Sequence, residues 1–207
     1  MVFGVNKKLL KQIWPLLILL AIAVFAPAIA PWDPWEMTEP FLRPSAQHLL
    51  GTNDLGQDIL SELIYGTRTS LIVGFSAALI ITVFGSFIGA CAAYFGGWID
   101  GVITTISSIF QGLPGLTLMI AVAGLLGQGV TSMLIAIVIN SWVGFSRIVR
   151  GEVMKLKQES FIKGLKTIGA SDLRILFLHI SPNILGTLCV LFATRIAGNV
   201  ISVASMS

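Results

Sequence analysis

The stretch GVITTISSIFQGLPGLTLMIAVAGLLGQGVTSMLIAIVINSWVGFS, Gly101 to Ser146, runs 46 residues without one Asp, Glu, Lys or Arg. A hydrocarbon layer about 30 Å thick takes roughly 20 apolar residues per helix, so this run is too long for one crossing. The turn-forming Gly127-Gln128-Gly129 divides it into two. Working outward, Thr69 to Ile99 is charge-free and fits one long or tilted helix, and Gln12 to Trp32 fits another. The run beginning at Ile175 is interrupted only by Arg195 before the last residue. The expectation is an all-α, polytopic membrane protein with five transmembrane helices.

Composition agrees. Of 207 residues, 55% are hydrophobic and 11% charged, with a mean hydropathy of +0.89, too little polar surface for a soluble domain of this size. A cleavable signal peptide is the rival reading of the N-terminus, because Lys7, Lys8 and Lys11 precede an apolar stretch and Ala28-Ile29-Ala30 resembles a cleavage site. Against it, the apolar run exceeds the usual signal length and Pro31 would follow the cut. Cys91 and Cys189 both fall inside expected spans and offer neither a disulfide framework nor metal-ligand spacing.

Lys and Arg set the expected orientation. Three positives precede the first span. The segment after it carries Arg43 and Arg68 against Asp33, Glu36, Glu39, Asp54, Asp58 and Glu62. Arg147 to Arg174 carries seven of the thirteen basic residues. The predicted layout is therefore a cytoplasmic tail over 1–11, a first span over 12–32, an external segment over 33–68, and a membrane core over 69–207 that contains a cytoplasmic loop at 147–174. The chain stops at Ser207 within an apolar helix that has no capping signal behind it, which leads one to expect a truncated sequence.

Local signals add detail. Trp32-Asp33-Pro34-Trp35 reads as a turn with tryptophans suited to the headgroup level. Asn53 or Asp54 is expected to cap a helix running to about Tyr65 that lies along the membrane surface or packs under the next span. Gly85 and Gly89, continued by Ala92 and Ala93, form a small-residue stripe for close helix packing, more often within a subunit than between subunits. Pro114 is expected to kink the third span.

Motifs for covalent chemistry are sparse. His48 and His179 fall on opposite sides of the membrane under this topology, so no shared metal or catalytic site is expected of them. No GxxxxGK[ST] loop occurs, so any ATP used by the system is bound by another subunit. The segment after Arg147 is richer. Phe161, Ile162, Leu165 and Ile168 make an apolar stripe at helical spacing, with Lys163 and Lys166 off it. Gly169 fits a left-handed C-cap, and Ser171 with Asp172 restarts a helix. A helix this short is unstable alone in water. Two supports are open to it: a groove on a partner protein, or an anionic lipid surface.

With these residues in view, the chain resembles the membrane subunits of binding-protein-dependent ABC importers, in particular the dipeptide, oligopeptide and nickel permeases. The resemblance is carried by HLLGTNDLGQDILSELIYGTRTSL (His48 to Leu71), GGWID (Gly96 to Asp100), Pro114, and Arg147 through Asn183 with its Gly-Ala-Ser and His-Ile-Ser-Pro-Asn elements. It implies a six-span core and a cytoplasmic coupling helix that docks on a nucleotide-binding subunit. By position, that coupling element covers Ser160, Phe161, Gly164, Leu165, Ile168, Gly169, Ala170 and Ser171. Ser160, Gly164 and Leu165 stand where the family often has Glu, Ala and Ala, whereas Gly169 matches. A glycine inside such a helix costs about 1 kcal/mol relative to alanine. Gln57 and Glu62 replace positions commonly Arg, and Thr105 and Ser108 replace a common Arg and Asp.

The same resemblance implies the partners: a homologous second permease subunit, two cytoplasmic ATPases that hold ATP and Mg, an external substrate-binding protein, and membrane lipid, with no nucleic acid. It implies a bacterial or archaeal plasma (inner) membrane, peptides, nickel or similar small solutes as cargo, and no enzymatic step, cofactor or metal on this chain itself. Arg195, Asn199 and Ser202 form a polar stripe at i, i+4 and i+7 in the last span. Two readings stand for it, a place on the translocation path or a snorkelling and interhelical bonding role. The alternative function is a membrane-embedded enzyme or assembly factor whose basic loop binds lipid, although paired carboxylates, a Ser/His set and a His cluster are missing from the spans.

Overall fold

The computed structural model describes residues 7–206, their side chains from Trp14 onward. Its elements are α1 (Lys7–Ile29), α2 (Ile59–Phe95), α3 (Gly97–Gly112), α4 (Gly115–Leu126), α5 (Val130–Lys157), α6 (Ser160–Thr167), α7 (Asp172–Arg174), a π-helical segment (Ile175–Ile180) and α8 (Ser181–Ala204). Among the described residues no strand forms, and an isolated bridge pairs Thr52 with Asp58. The protein is an all-α, polytopic membrane chain. Three of its described helices are long and apolar enough to cross a bilayer: α2, α5 and the continuous stretch Asp172–Ala204. The pair α3 and α4 makes a fourth if it counts as one crossing, and the apolar part of α1, Trp14–Ile29, is shorter. A count of five therefore depends on α1 and on the bent pair.

The chain divides into two compact units between Ile72 and Val73. In the first, α2 starts later than the sequence suggests. Asp58 is its cap: Oδ2 accepts from the Ser61 N–H at 2.8 Å, and its carbonyl accepts from the Glu62 N–H at 3.0 Å. Asn53 instead closes a turn, its Oδ1 accepting from the Leu55 and Gln57 N–H groups at 2.9 Å. Nor does a separate surface helix end at Tyr65. Residues 59–65 are the first turns of α2, which continues unbroken for 37 residues. No proline interrupts them, a lone Gly66 costs only about 1 kcal/mol, and the Thr67 hydroxyl donates back to the Leu63 carbonyl at 2.8 Å.

The second unit is organised on α5. Val73, Ala77, Ile81, Gly85, Gly89 and Ala93 recur every fourth residue on α2, and Ile137, Phe145, Val149 and Val153 lie at multiples of four on α5. Such rows form the ridges that helices interlock, and most of these residues belong to one buried apolar cluster. The small residues are required by the contact. A Cβ on Gly85 would lie 2.9 Å from the Phe145 ring, and one on Gly89 would collide with the Ser146 carbonyl. The glycine stripe thus packs within the subunit.

Pro114 does more than kink a helix. It holds Leu113 extended (φ −94°, ψ 136°), ends α3 at Gly112 and lets α4 leave at 91° to α3. Gly127 and Gly129, both at positive φ, make the turn from α4 to α5 as expected. The π-helical segment has a similar origin. Pro182 has no N–H for the Leu178 carbonyl and its ring would crowd that group. The turn before it widens, and both the N–H and the hydroxyl of Ser181 bond the Leu176 carbonyl five residues back.

Candidate functional site

The segment Arg147 to Arg174, expected to join two spans as a loop containing a short helix, is helical over much of its length. Its first eleven residues extend α5 to Lys157, because Val149 and Val153 continue the buried row and no proline intervenes, the lone Gly151 costing only about 1 kcal/mol. Two of its cations are tied down. Arg150 grips Asp100 with two bonds, Nε to Oδ1 and Nη2 to Oδ2, both 2.6 Å, which joins α5 to the first turn of α3. Lys157 donates to the carbonyls of Tyr94 (2.6 Å) and Ala93 (3.3 Å), satisfying orphan acceptors at the end of α2.

After a tight turn at Gln158 and Glu159 comes α6. Its apolar stripe is split by the fold. Ile162 is 1% exposed and Leu165 packs half-buried against the core cluster, as does Ala170. Phe161 is 47% exposed and Ile168 is 79% exposed. With Gly164 between them at helical spacing, they make the outward face. Leu165, part of the apolar stripe with Phe161 and Ile168, packs toward the core while those two stay outward. Ser160, Gly169 and Ser171 are exposed.

The end of α6 follows from one residue. Gly169 has φ +82°, its N–H bonds the Lys166 carbonyl, and the Ala170 N–H reaches the Leu165 carbonyl, both at 3.0 Å. This is the Schellman pattern, which favours glycine at the left-handed position. The restart differs from expectation. Ser171 occupies the cap position of α7 without a side-chain cap bond, and the Asp172 carboxylate accepts from the Tyr94 hydroxyl at 2.7 Å.

The polar stripe on α8 has three separate fates. Asn199 is buried and donates to the Gly74 carbonyl at 3.3 Å, a bond between α8 and α2. Ser202 donates to the Gly198 carbonyl of its own helix at 3.1 Å. Arg195 is half-buried with one guanidinium nitrogen against Gly144 of α5, and among the described residues it has no hydrogen-bond or ion-pair partner. A cavity of about 620 Å³ opens between α4, the Gly127 to Gly129 turn, α5 and the end of α8, and none of the three lines it.

Sequence reasoning missed the Asp100–Arg150 pair and the part played by Tyr94. Asp100 stood inside the GGWID element, and its partner lies 50 residues on. It missed likewise that His48 pairs with Asp58 (Nδ1 to Oδ1, 3.1 Å) and stacks on Trp32 at 5.1 Å between ring centres. Trp32 also donates to the Gln47 carbonyl, so it serves its own segment, and of the two tryptophans Trp35 is the exposed one, at 79%.

A bundle of long apolar helices with a short amphipathic helix set between two of them defines a polytopic membrane subunit. The chain belongs to the family of binding-protein-dependent transport system inner membrane components, whose model matches residues 81–207. It is 37% identical over 194 residues to the glutathione transport system permease protein GsiD of Pectobacterium atrosepticum. It is 38% identical to the proteins of that name from Escherichia coli and Shigella boydii. In each case the match covers 92% of this chain and 64% of the relative, so the chain spans somewhat less than two thirds of their length.

Proposed function

We propose that this chain is a permease subunit of an ATP-driven, binding-protein-dependent importer in a bacterial inner membrane, its N-terminus in the cytoplasm, and that α6 is its docking helix. The observation that carries this reading is the split of α6: Ile162 anchors it to the core while Phe161, Gly164 and Ile168 are left outward. A helix of eight residues is not stable by itself, and an outward apolar face at its own heptad-like spacing suits a groove on an ATPase. The basic loop with its lipid-surface alternative is less well supported, since Arg150 and Lys157 are already bound within the chain.

The partners follow as part of the same reading: a homologous second permease, two ATPases carrying ATP and Mg, and an external binding protein. The relatives' name favours glutathione or another small peptide as the solute. Arg195, a cation in α8 without a carboxylate beside it among the described residues, is the residue proposed to meet an anionic group of such a solute. Asn199 serves helix packing in this scheme, and Ser202 bonds within its own helix.

Replacing Ile168 with Asp puts a charge on the outward face without entering the core. Copurification of the ATPase subunits with the full importer should fall by tenfold or more, the equivalent of about 1.4 kcal/mol or greater, at unchanged permease yield. Undiminished copurification overturns the docking assignment.

A further inference from the structure

The last turn of α2 gathers the whole segment between α5 and α8 at one side chain. Tyr94 is 3% exposed, and its hydroxyl donates to Asp172 Oδ1 at 2.7 Å across 78 residues of sequence. Lys166 of α6 lies 3.5 Å from the same carboxylate oxygen and 5.3 Å over the Tyr94 ring. Lys157, at the end of α5, lies 5.6 Å over the ring and bonds the Tyr94 carbonyl. The ends of α5, α6 and α7 therefore each place one charged group on a single aromatic residue of α2.

We propose that Tyr94 is the positioning residue that registers the docking helix against the membrane core and passes its displacement to α2. This rests on the docking role of α6. Its physical basis is the way the two sides of α6 are held. Ile162 and Leu165 make apolar, non-directional contacts, which let a short helix slide or roll. A hydroxyl on a carboxylate, with two ammonium groups facing the ring, adds direction and distance that packing lacks. Displacement of α6 pulls Lys166, then Asp172, then the Tyr94 hydroxyl, and α2 carries that pull toward Gly89 and Gly85, which fit closely against α5.

The test uses the assembled importer, with its ATPases, in lipid nanodiscs, and follows hydrogen exchange with and without a non-hydrolysable ATP analogue and Mg. In the wild type, nucleotide should slow exchange at residues 160–168 and at 88–94 together. Tyr94→Phe keeps the ring and both cation contacts but removes the hydroxyl. In it the slowing at 160–168 should persist, while that at 88–94 shrinks by about tenfold, the scale of one charge-assisted hydrogen bond. An unchanged response at 88–94 in Tyr94→Phe overturns the proposal. No response at 160–168 in the wild type overturns the docking reading instead, so the two failures are separable. Asp172→Ala, on an exposed side chain, removes the acceptor and must reproduce the Tyr94→Phe loss at 88–94 and add nothing to it in the double variant; additive effects there count against the proposal. It also replaces Tyr94→Phe if that variant does not accumulate.

Discussion

Two connecting segments of this chain are held by opposite means. Between α1 and α2, residues 31–58 contain no helix. They are shaped by polar bonds: Thr38 N–H to the Gly56 carbonyl, Phe41 N–H to Asn53, the Thr52 hydroxyl to Glu39, and the buried His48–Asp58 pair under Trp32. Between α5 and α8, a helix is pinned by Ile162 and Leu165 and then indexed by a few charges. The first arrangement is a network of polar bonds that ties distant points of the segment together, suited to a segment that keeps one shape. The second is a hinged element with a greasy underside and a free outer face, suited to one that moves.

The sharpest way to break this contrast is Ile162→Ala. Truncating a fully buried isoleucine typically costs 2 to 5 kcal/mol, and here the loss should be local. Residues 160–170 should become protease-sensitive and exchange rapidly, while residues 31–58 keep their protection. If both segments loosen together, the hinged element is not independent.

Acid should do the reverse. Burial raises the Asp58 carboxyl, but the Ser61 N–H, the His48 ring and the Ser61 hydroxyl outweigh it and hold the group below its ordinary value. A depressed carboxylate contributes its full stability at neutral pH and loses it as pH falls, beginning near about pH 5. Proteolysis between Trp32 and Asn53 should therefore rise in mild acid. Asp58→Asn retains a capping oxygen and should cost about 1 kcal/mol at neutral pH through the lost contact with His48, with a flatter acid profile. An identical profile in the two proteins would mean that Asp58 does not control this segment.

The smallest effect belongs to Lys155→Gln. Its ion pair with Glu152 at 2.9 Å is exposed, so the change in thermal stability should stay within about 0.5 kcal/mol. A larger loss would show that this end of α5 depends on surface charge as well as on its buried row.

Much of this was legible from residue patterns. Charge-free length set the membrane class, since a bilayer admits few other readings of 46 uncharged residues. Gly169 announced its cap because its requirement is local, and Gly85 and Gly89 announced a close helix contact. Boundaries were less legible. Asn53 and Asp58 are both good caps, and only the path of the chain decided that one closes a turn and the other starts α2. Pro114 could have kinked or broken its helix, and the choice rests on where α4 finds α5 to pack against.

Sequence alone determined what had to be in lipid, where short-range geometry forced a turn, and that a short amphipathic helix follows the richest run of positive charge. Tertiary structure decided which face of that helix is spent on the core, that Arg150 belongs to Asp100, and that Tyr94 meets Asp172. Those outcomes depend on groups 50 and 78 residues apart, and no periodicity within one helix encodes the position of another.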